Sequence, residues 1–440
     1  MNTKTKTGAA SLYVVIFTTL LLGIITLGFI RIMLSEAIQT SNNDLSQSAF
    51  DSALAGIEDA KVLLLKYHEC LNGDATTVTS EDCDKIINAI QAPNSASNCD
   101  IVRGLLFGRE AGDQHETIIQ SSDGTGDEME QAYTCVLISE TNPDYLGQLN
   151  SSYHSKMIPI RTTDLPTLNQ LNYIRLDWYS TTNADQFGYN LTPPDSELKS
   201  NNKPADYEDK ANTGLLPALD NTNPTTPPAL GVQFFQTDPS FRYDQLSVNS
   251  NSGTDRGSLF LVPTNDPRLA APTIVESNTS TGFTASADKA INLPIPIRCQ
   301  PSGNPEGASY YCTAILGIPK PFGGGSRNES STFLRVFLPY GTPDTDFSVA
   351  LCNNTNPNSC TDSANIMPFL GVQARIDATG RANDLFRRVE ARVELVDVYF
   401  PYPEYVAAIT STKDALNKNF WVTSNNWNGY DSGYITTDQY

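Results

Sequence analysis

The hydrophobic pattern of the chain opens with an apolar run over residues 11–30 that carries no charge. A helix of about 20 residues spans the hydrocarbon core of a bilayer. Apolar residues then recur at helical spacing with polar residues between them, at Ile38, Leu45, Ala49, Leu54, Ile57 and Leu64. No proline interrupts residues 9–70. The pattern therefore predicts one continuous helix over 9–70, transmembrane over 11–30 and amphipathic over 31–70.

Residues 71–131 form a small, polar and partly helical region that contains cysteines. Ser80 is a favourable N-cap residue, and Glu81 and Asp82 follow it in what would be the first turn of a helix. Acidic side chains are stabilising there because the helix dipole is positive at its N-terminus. The sequence predicts a helix over residues 80–90.

Alternation of apolar and polar residues predicts strands in the rest of the chain. A first β region, 132–180, holds strands at 133–138 and 172–178, and the second of these places Ile174, Leu176 and Trp178 on one face. A linker or long loop rich in Pro and Asn follows over 181–230. The β-rich domain, 231–416, holds predicted strands at 231–236, 258–262, 293–298, 311–315, 332–338, 346–351, 371–376 and 385–398.

The last two of these strands form the clearest antiparallel pair, joined by a predicted turn at 377–380. Inward positions are Val389, Ala391, Val393 and Leu395, and outward positions are Arg388, Glu390, Arg392 and Glu394. The charged face is typical of a solvated sheet surface with cross-strand ion pairs. Pro294 and Pro296 restrict their strand to a sheet edge. The fold class is α+β: a long N-terminal helix, a small helical disulfide-linked region and a large antiparallel β-rich, sandwich-like body.

The charge and the cysteines place this body outside the cytoplasm. The formal net charge is −20, which argues against nucleic-acid binding because that function needs clustered Lys and Arg. All eight cysteines follow the apolar run, and their even number predicts disulfides in an oxidising compartment. Local spacing favours Cys299 with Cys312 and Cys352 with Cys360. We expect Cys70, Cys83, Cys99 and Cys135 to pair among themselves, in an order that the sequence leaves open.

Catalytic signatures are missing from the sequence. The three histidines, His68, His115 and His154, have no partner at the spacing of a metal site or a catalytic triad. The sequence therefore predicts a protein that is not an enzyme and requires no cofactor. A Gly-rich acidic loop offers carboxylates of the kind that Ca²⁺ prefers, and its candidate ligands are Asp123, Asp127, Glu128 and Glu130. A plain solvated acidic loop is the preferred interpretation and a Ca²⁺ site is the alternative; the loop at 353–362 is a weaker second candidate for Ca²⁺.

The C-terminal tail, 417–440, combines aromatic residues with Asn, Ser and Thr. Phe420 and Trp421 are expected to dock on the sheet. Exposed aromatic side chains from Trp427 onward would suit a partner or a glycan.

Three kinds of N-terminal segment could begin with a basic leader followed by an apolar run, and the length of the run argues against one of them. A cleaved signal peptide has an apolar core of about 7–15 residues, which is shorter than this run. An uncleaved signal anchor fits the length, and so does a segment whose basic leader, ending in Gly8, is cut before the apolar helix rather than after it. In either case Lys4 and Lys6 are expected to keep the leader cytoplasmic and to export the remainder, which predicts a single-pass membrane protein.

The segment from Gly8 through the Ala-rich stretch AFDSALAGIEDA, ending at Ala60, resembles the N-terminal helix of minor type IV pilins. It is most similar to the PilX type and to the K-type minor pseudopilins of type II secretion, and the resemblance covers residues 4–65. The resemblance implies cleavage between Gly8 and Ala9 by prepilin peptidase, methylation of Ala9, and assembly with other pilin-like subunits through the helix. Tyr13 occupies the fifth mature position, where most pilins carry a Glu that neutralises the N-terminal amine of a neighbour.

These features together predict a minor, tip-associated subunit of a type IV pilus-like filament, since an unpaired amine in hydrocarbon is costly and a tip subunit has no neighbour above it. Its β-rich domain would serve filament assembly or priming and adhesion to a surface ligand that the sequence does not identify. The alternative is a membrane-anchored extracellular adhesion protein that forms no filament.

Overall fold

The structure is a computed structural model. It describes residues 8–73, 78–91, 104, 116–120, 130–152, 154–162, 171–191, 224–236, 258–264, 269, 271–275, 277–278, 282–283, 294–300, 309–318, 332–339 and 344–395. Predictions about the leader, Cys99, His115 and the tail at 417–440 concern residues outside these ranges.

Three α-helices and seventeen strands are described. The helices are α1 (Gly8–Asn72), α2 (Ser80–Gln91) and α3 (Thr181–Phe187). The strands are β1 (Thr117–Gln120), β2 (Gln131–Asn142), β3 (Asp144–Leu149), β4 (Ser155–Pro159), β5 (Tyr173–Ser180), β6 (Leu230–Gln236), β7 (Ser258–Thr264), β8 (Thr273–Val275), β9 (Ser277–Asn278), β10 (Gly282–Phe283), β11 (Pro294–Arg298), β12 (Tyr310–Gly317), β13 (Thr332–Phe337), β14 (Thr345–Cys352), β15 (Ile366–Met367), β16 (Phe369–Ala382) and β17 (Leu385–Glu394).

The chain divides into two compact units. The first comprises Met1–Ser139 and Arg375–Ala391, and the second comprises Glu140–Ala374 and Arg392–Tyr440.

Helix α1 confirms the prediction of one uninterrupted N-terminal helix. It ends at Asn72, and the next residue is Gly73, whose φ of 69° is favourable for glycine and whose N–H donates to the carbonyl oxygen of Cys70. A disulfide between Cys70 and Cys83 joins the end of α1 to α2. The N-cap of α2 is Thr79 rather than the predicted Ser80, because the Thr79 hydroxyl accepts the backbone N–H of Asp82 at 3.2 Å.

The buried side chains of α1 form a stripe along its second half, and several of them are small. Its buried members are Ala49, Ser52, Ala53, Ile57, Ala60, Leu63, Leu64 and Tyr67. Two other apolar positions of the helical pattern stay outside this stripe: Leu54 is 39% exposed and Ile38 is 62% exposed. Small residues let the helix backbone approach the sheet closely, as where Gly56 lies against the side chains of Tyr133 and Val136.

A four-stranded sheet with the order β1-β2-β16-β17 contributes to the first unit. The predicted turn at 377–380 is wrong, because β16 runs on to Ala382 and the chain reverses at Asn383, which has a φ of 50°. Gly380 lets β16 approach the backbone of α1 closely. Across the two strands, the Asp377 carboxylate accepts an N–H of the Arg388 guanidinium at 2.7 Å. The pair confirms the predicted cross-strand ion pairing on this surface.

The second unit contains a six-stranded sheet with the order β15-β14-β5-β12-β8, in which β3 also pairs with β14, and a five-stranded sheet with the order β11-β7-β6-β13-β4. One cluster of buried residues draws on both sheets and includes Trp178, Leu334 and Phe347. Two pairs, β11 with β7 and β12 with β8, are parallel, so the body is mixed rather than wholly antiparallel. Sandwich packing of the sheets stays a prediction.

Strand β11 lies at the edge of its sheet, as its prolines required. The disulfides Cys299–Cys312 and Cys352–Cys360 are formed, which confirms the two pairings predicted from local spacing. Cys135 is also disulfide-bonded.

The predicted linker, 181–230, begins with a helix that the sequence analysis missed. This helix is α3, and a capping box between Ser180 and Asn183 holds its N-terminus.

Candidate functional site

The first half of α1 presents an apolar surface whose described large side chains are exposed. Its exposed large side chains include Tyr13, Val14, Val15, Ile16, Phe17, Leu20, Leu21, Leu22, Ile24, Ile25, Leu27, Phe29, Ile30, Ile32, Met33 and Leu34. Within the described part of the chain, α1 is the one helix with the length and apolar composition that a membrane span needs. An exposed apolar surface of this extent requires a partner of matching chemistry.

Polar side chains within this apolar segment bond to the helix itself. The hydroxyl groups of Thr18, Thr19 and Thr26 donate to carbonyl oxygens one turn earlier, at 2.9, 2.9 and 2.7 Å. Internal hydrogen bonding removes the cost of placing these hydroxyls in an apolar medium. The segment is therefore compatible with lipid or with neighbouring apolar helices.

The predicted processing residues lie at the very start of α1. Gly8 is the first residue of the helix, and Ala9 follows it within the helix. Tyr13, at the fifth position after Gly8, is 74% exposed. The first carboxylate after the leader is Glu36, beyond the apolar run. The apolar run itself therefore contains no acidic side chain.

The structure bears on two candidate calcium loops. Of the first set, Asp123, Asp127 and Glu128 lie outside the described residues, and Glu130 pairs with Arg381, which also binds Glu116 at 2.6 Å. The guanidinium already supplies the positive charge that a calcium ion would bring. Among the described residues no group of three or more His, Cys, Asp or Glu side chains could hold a metal ion.

The second candidate loop, around 353–362, uses its polar side chains to build turns. The side-chain oxygens of Asn354, Asn356 and Asp362 each accept the backbone N–H two residues later, at distances of 2.9 to 3.1 Å. Such Asx turns explain the richness of this loop in Asn and Asp without a ligand.

A polar cleft of about 900 Å³ lies in the second unit. Its lining residues are Leu146, Gly147, Gln148, Asn150, Lys156, Ser180, Thr181, Thr182, Ser309, Tyr310, Asp346, Gln373, Arg392 and Glu394. They come from both sheets of the second unit, from the start of α3, from β16 and β17, and from residues next to the strands. We call this feature the polar cleft.

Charged side chains of the polar cleft are held by one another. The Lys156 ammonium donates to both carboxylate oxygens of Glu394 at 3.0 and 2.9 Å, and the Tyr145 hydroxyl donates to the same carboxylate at 2.6 Å. Arg392 pairs with Asp144 at 3.3 Å. The prediction that Arg392 and Glu394 face solvent is wrong, since both are half-buried in these pairs.

Side-chain amides fix the backbone around the polar cleft. The Gln373 amide donates to the Leu146 carbonyl at 2.8 Å and accepts the Leu146 N–H at 3.1 Å, so it pairs with β3 as a neighbouring strand would. On the opposite side, the Ser180 hydroxyl donates to Asp346 at 2.9 Å, and the Asn183 carbonyl oxygen accepts the Asp346 N–H at 3.0 Å.

Ionisation in and beneath the polar cleft is shifted by burial. Burial raises the pKa of Asp177 above its ordinary value, although Arg175 and Thr313 stabilise its charge from 2.8 and 2.7 Å. Burial, together with the carboxylates of Asp177 and Asp346, likewise raises the pKa of Tyr310. The Tyr310 hydroxyl therefore keeps its proton at neutral pH.

Sequence analysis missed the polar cleft because its parts are distant in the chain. Lys156 and Glu394 are separated by 238 residues, and Gln373 and Leu146 by 227. Neither pair forms a motif that spacing could reveal. No family model matches the chain, and neither a curated protein nor a solved structure matches it. Geometry and chemistry alone therefore carry the functional inference.

Proposed function

We propose that this chain is a minor, pilin-like subunit that inserts in the bacterial membrane and then joins or primes a type IV pilus-like filament. The observation that carries the proposal is the continuity of α1. Its first half exposes apolar side chains on all sides, and its second half is buried on one face in the first unit. A membrane anchor alone needs only the first third of this helix.

The exposed apolar surface can exchange one apolar environment for another. Lipid tails and the apolar faces of neighbouring helices are both suitable, because the threonine hydroxyls in the segment already bond within the helix. Other pilin-like subunits are thus the proposed partners of α1, and prepilin peptidase is the proposed processing enzyme.

Tyr13 supports a place at the filament tip. A subunit inside a filament would need a carboxylate near this position to neutralise an adjacent N-terminal amine, and the residue here is an exposed tyrosine. The proposed role of the exported body is assembly and adhesion rather than catalysis. Its disulfides suit an oxidising compartment at the cell surface.

Processing at the leader tests the proposal. The full chain is co-expressed with a prepilin peptidase, and the intact mass of the membrane fraction is measured for the wild type and for Gly8→Ala. We expect the wild type to lose residues 1–8 and the variant to retain them. Gly28→Ala is the matched control, because a Cβ built there lies more than 4 Å from the rest of the described chain, apart from its own helical turn.

Two results would contradict the proposal. One is equal cleavage of Gly8→Ala and wild type. The other is a wild-type chain that keeps its leader in the presence of an active peptidase, which would favour the permanently anchored adhesion protein.

A further inference from the structure

The lining of the polar cleft is dominated by groups that hydrogen-bond. Hydroxyl groups come from Ser180, Thr181, Thr182, Ser309 and Tyr310, and amides from Gln148 and Asn150. Leu146 supplies the one large aliphatic side chain among the lining residues. Sites for drug-like apolar ligands are lined mostly by hydrophobic side chains, so this cleft does not suit such a ligand.

The charges of the polar cleft cancel. Lys156 and Arg392 are balanced by Asp346 and Glu394, although the whole chain carries −20. Lys156 is committed to Glu394 by two hydrogen bonds, and Arg392 pairs with Asp144. An anionic ligand such as a phosphate or a sialic acid would compete with these carboxylates for the same cations. A neutral ligand meets no such competition.

The walls of the polar cleft are already in place. Gln373 holds the backbone of Leu146, and Ser180 and Asn183 hold Asp346. Since these groups are ordered before a ligand arrives, binding pays less conformational entropy. The volume of about 900 Å³ falls in the range of about 300–1,000 Å³ that ligand sites occupy.

We propose that the polar cleft binds a neutral oligosaccharide. Sugar hydroxyls both donate and accept, which matches a lining that combines hydroxyls, amides, carboxylates and cations. The Tyr310 ring offers an amphipathic surface to a sugar, and its hydroxyl stays protonated at neutral pH. The inference deepens the proposed function by naming a ligand class for adhesion, and it rests on that function only for display of the body outside the cell.

A glycan array tests the inference on the full chain. The detergent-solubilised, fluorescently labelled protein is applied to an array that carries neutral and sialylated oligosaccharides. The strongest hit is then titrated by calorimetry against wild type and Thr182→Trp, which places a large side chain at an exposed position of the cleft. Thr355→Trp changes an equally exposed threonine outside the cleft lining and is the matched control.

We expect binding to neutral glycans, about tenfold or more weaker in Thr182→Trp and unchanged in Thr355→Trp. Near-UV circular dichroism of each variant checks that it is folded. Binding to sialylated glycans alone, or to none, would overturn the inference. Equal affinity of folded Thr182→Trp and wild type would overturn it as well. Leader cleavage is measured separately, so failure here leaves the filament proposal standing.

Discussion

Gly380 on β16 lies directly against Ala49 of α1, so closely that a Cβ at Gly380 would overlap the carbonyl oxygen of Ala49 and the amide nitrogen of Ala53. The helix and the sheet of the first unit meet there backbone to backbone. Neither partner atom belongs to a side chain that could turn away. This contact explains why the buried stripe of α1 is rich in alanine.

Gly380→Ala should therefore destabilise the first unit. The added methyl group forces a backbone shift, and overpacking of this kind costs about 1–3 kcal/mol or more. Chemical denaturation followed by circular dichroism measures the change. Gly28→Ala, where the new methyl group meets no neighbour, should leave the free energy of unfolding unchanged or slightly raised. Equal stability of Gly380→Ala and Gly28→Ala would show that the close approach is absent.

Removal of the Cys70–Cys83 disulfide should loosen the end of α1. The bridge closes a loop with a sequence separation of 13, and a loop of that size contributes about 3 kcal/mol in the chain-entropy account. The double variant Cys70→Ser, Cys83→Ser is compared with wild type by thermal unfolding and by hydrogen exchange of α2. We expect a lower Tm and faster exchange in α2. Unchanged exchange there would contradict the proposed tethering.

Gln373→Met should destabilise the second unit by about 1 kcal/mol or more, because the half-buried N–H and carbonyl of Leu146 lose the amide of the buried Gln373 that pairs with both. Methionine keeps the length of the side chain and adds no charge. Gln148→Met, at an exposed glutamine of the paired strand, is the control and should cost little. A Gln373 variant as stable as its control would mean that the strand-like pairing is not needed.

Stability of the second unit should fall at alkaline pH through Tyr179. Burial raises the pKa of its hydroxyl from 10.0 to about 12, and the hydroxyl lies within hydrogen-bond distance of the carbonyl oxygens of Gly188 and Pro224. The unfolded chain loses this proton first, so the stabilisation is complete below about pH 10 and declines as the pH rises towards 12.

Tyr179→Phe isolates this contribution. Its unfolding free energy, measured between pH 8 and about pH 12, should be lower than that of wild type at neutral pH by about 1 kcal/mol. The difference should shrink as the pH rises. Parallel curves for the two proteins would contradict the assignment to Tyr179.

The sequence predicted the elements that depend on local pattern. Helix α1 follows from an apolar run continued at helical spacing without proline, and two of the disulfides join cysteines that are close in the chain. Strands such as β5 and β14 follow from runs of apolar and β-branched residues. The strands with which they pair and their order in the sheet cannot be predicted from these runs, because pairing depends on contacts between distant segments.

The errors have a common physical cause, which is tertiary contact overriding local preference. The segment at 377–380 has the composition of a turn, but Gly380 serves the close contact of β16 with α1. The chain reverses instead at Asn383. Alternation along β17 predicts an exposed side chain at Glu394. Hydrogen bonds from Lys156 and Tyr145 hold its carboxylate half-buried in the polar cleft instead. A single sequence shows none of these partners.

Sequencing the N-terminus of the mature chain tests most directly the central claim that the chain is a processed, pilin-like subunit. Cells that express the chain together with a type IV pilus machinery are sheared, and the chain in the filament fraction and in the membrane fraction is sequenced from its N-terminus by mass spectrometry. The account predicts a chain that begins at Ala9 with a methylated amine in both fractions. A chain that keeps Lys4 and Lys6, or that begins beyond the apolar run, would contradict it.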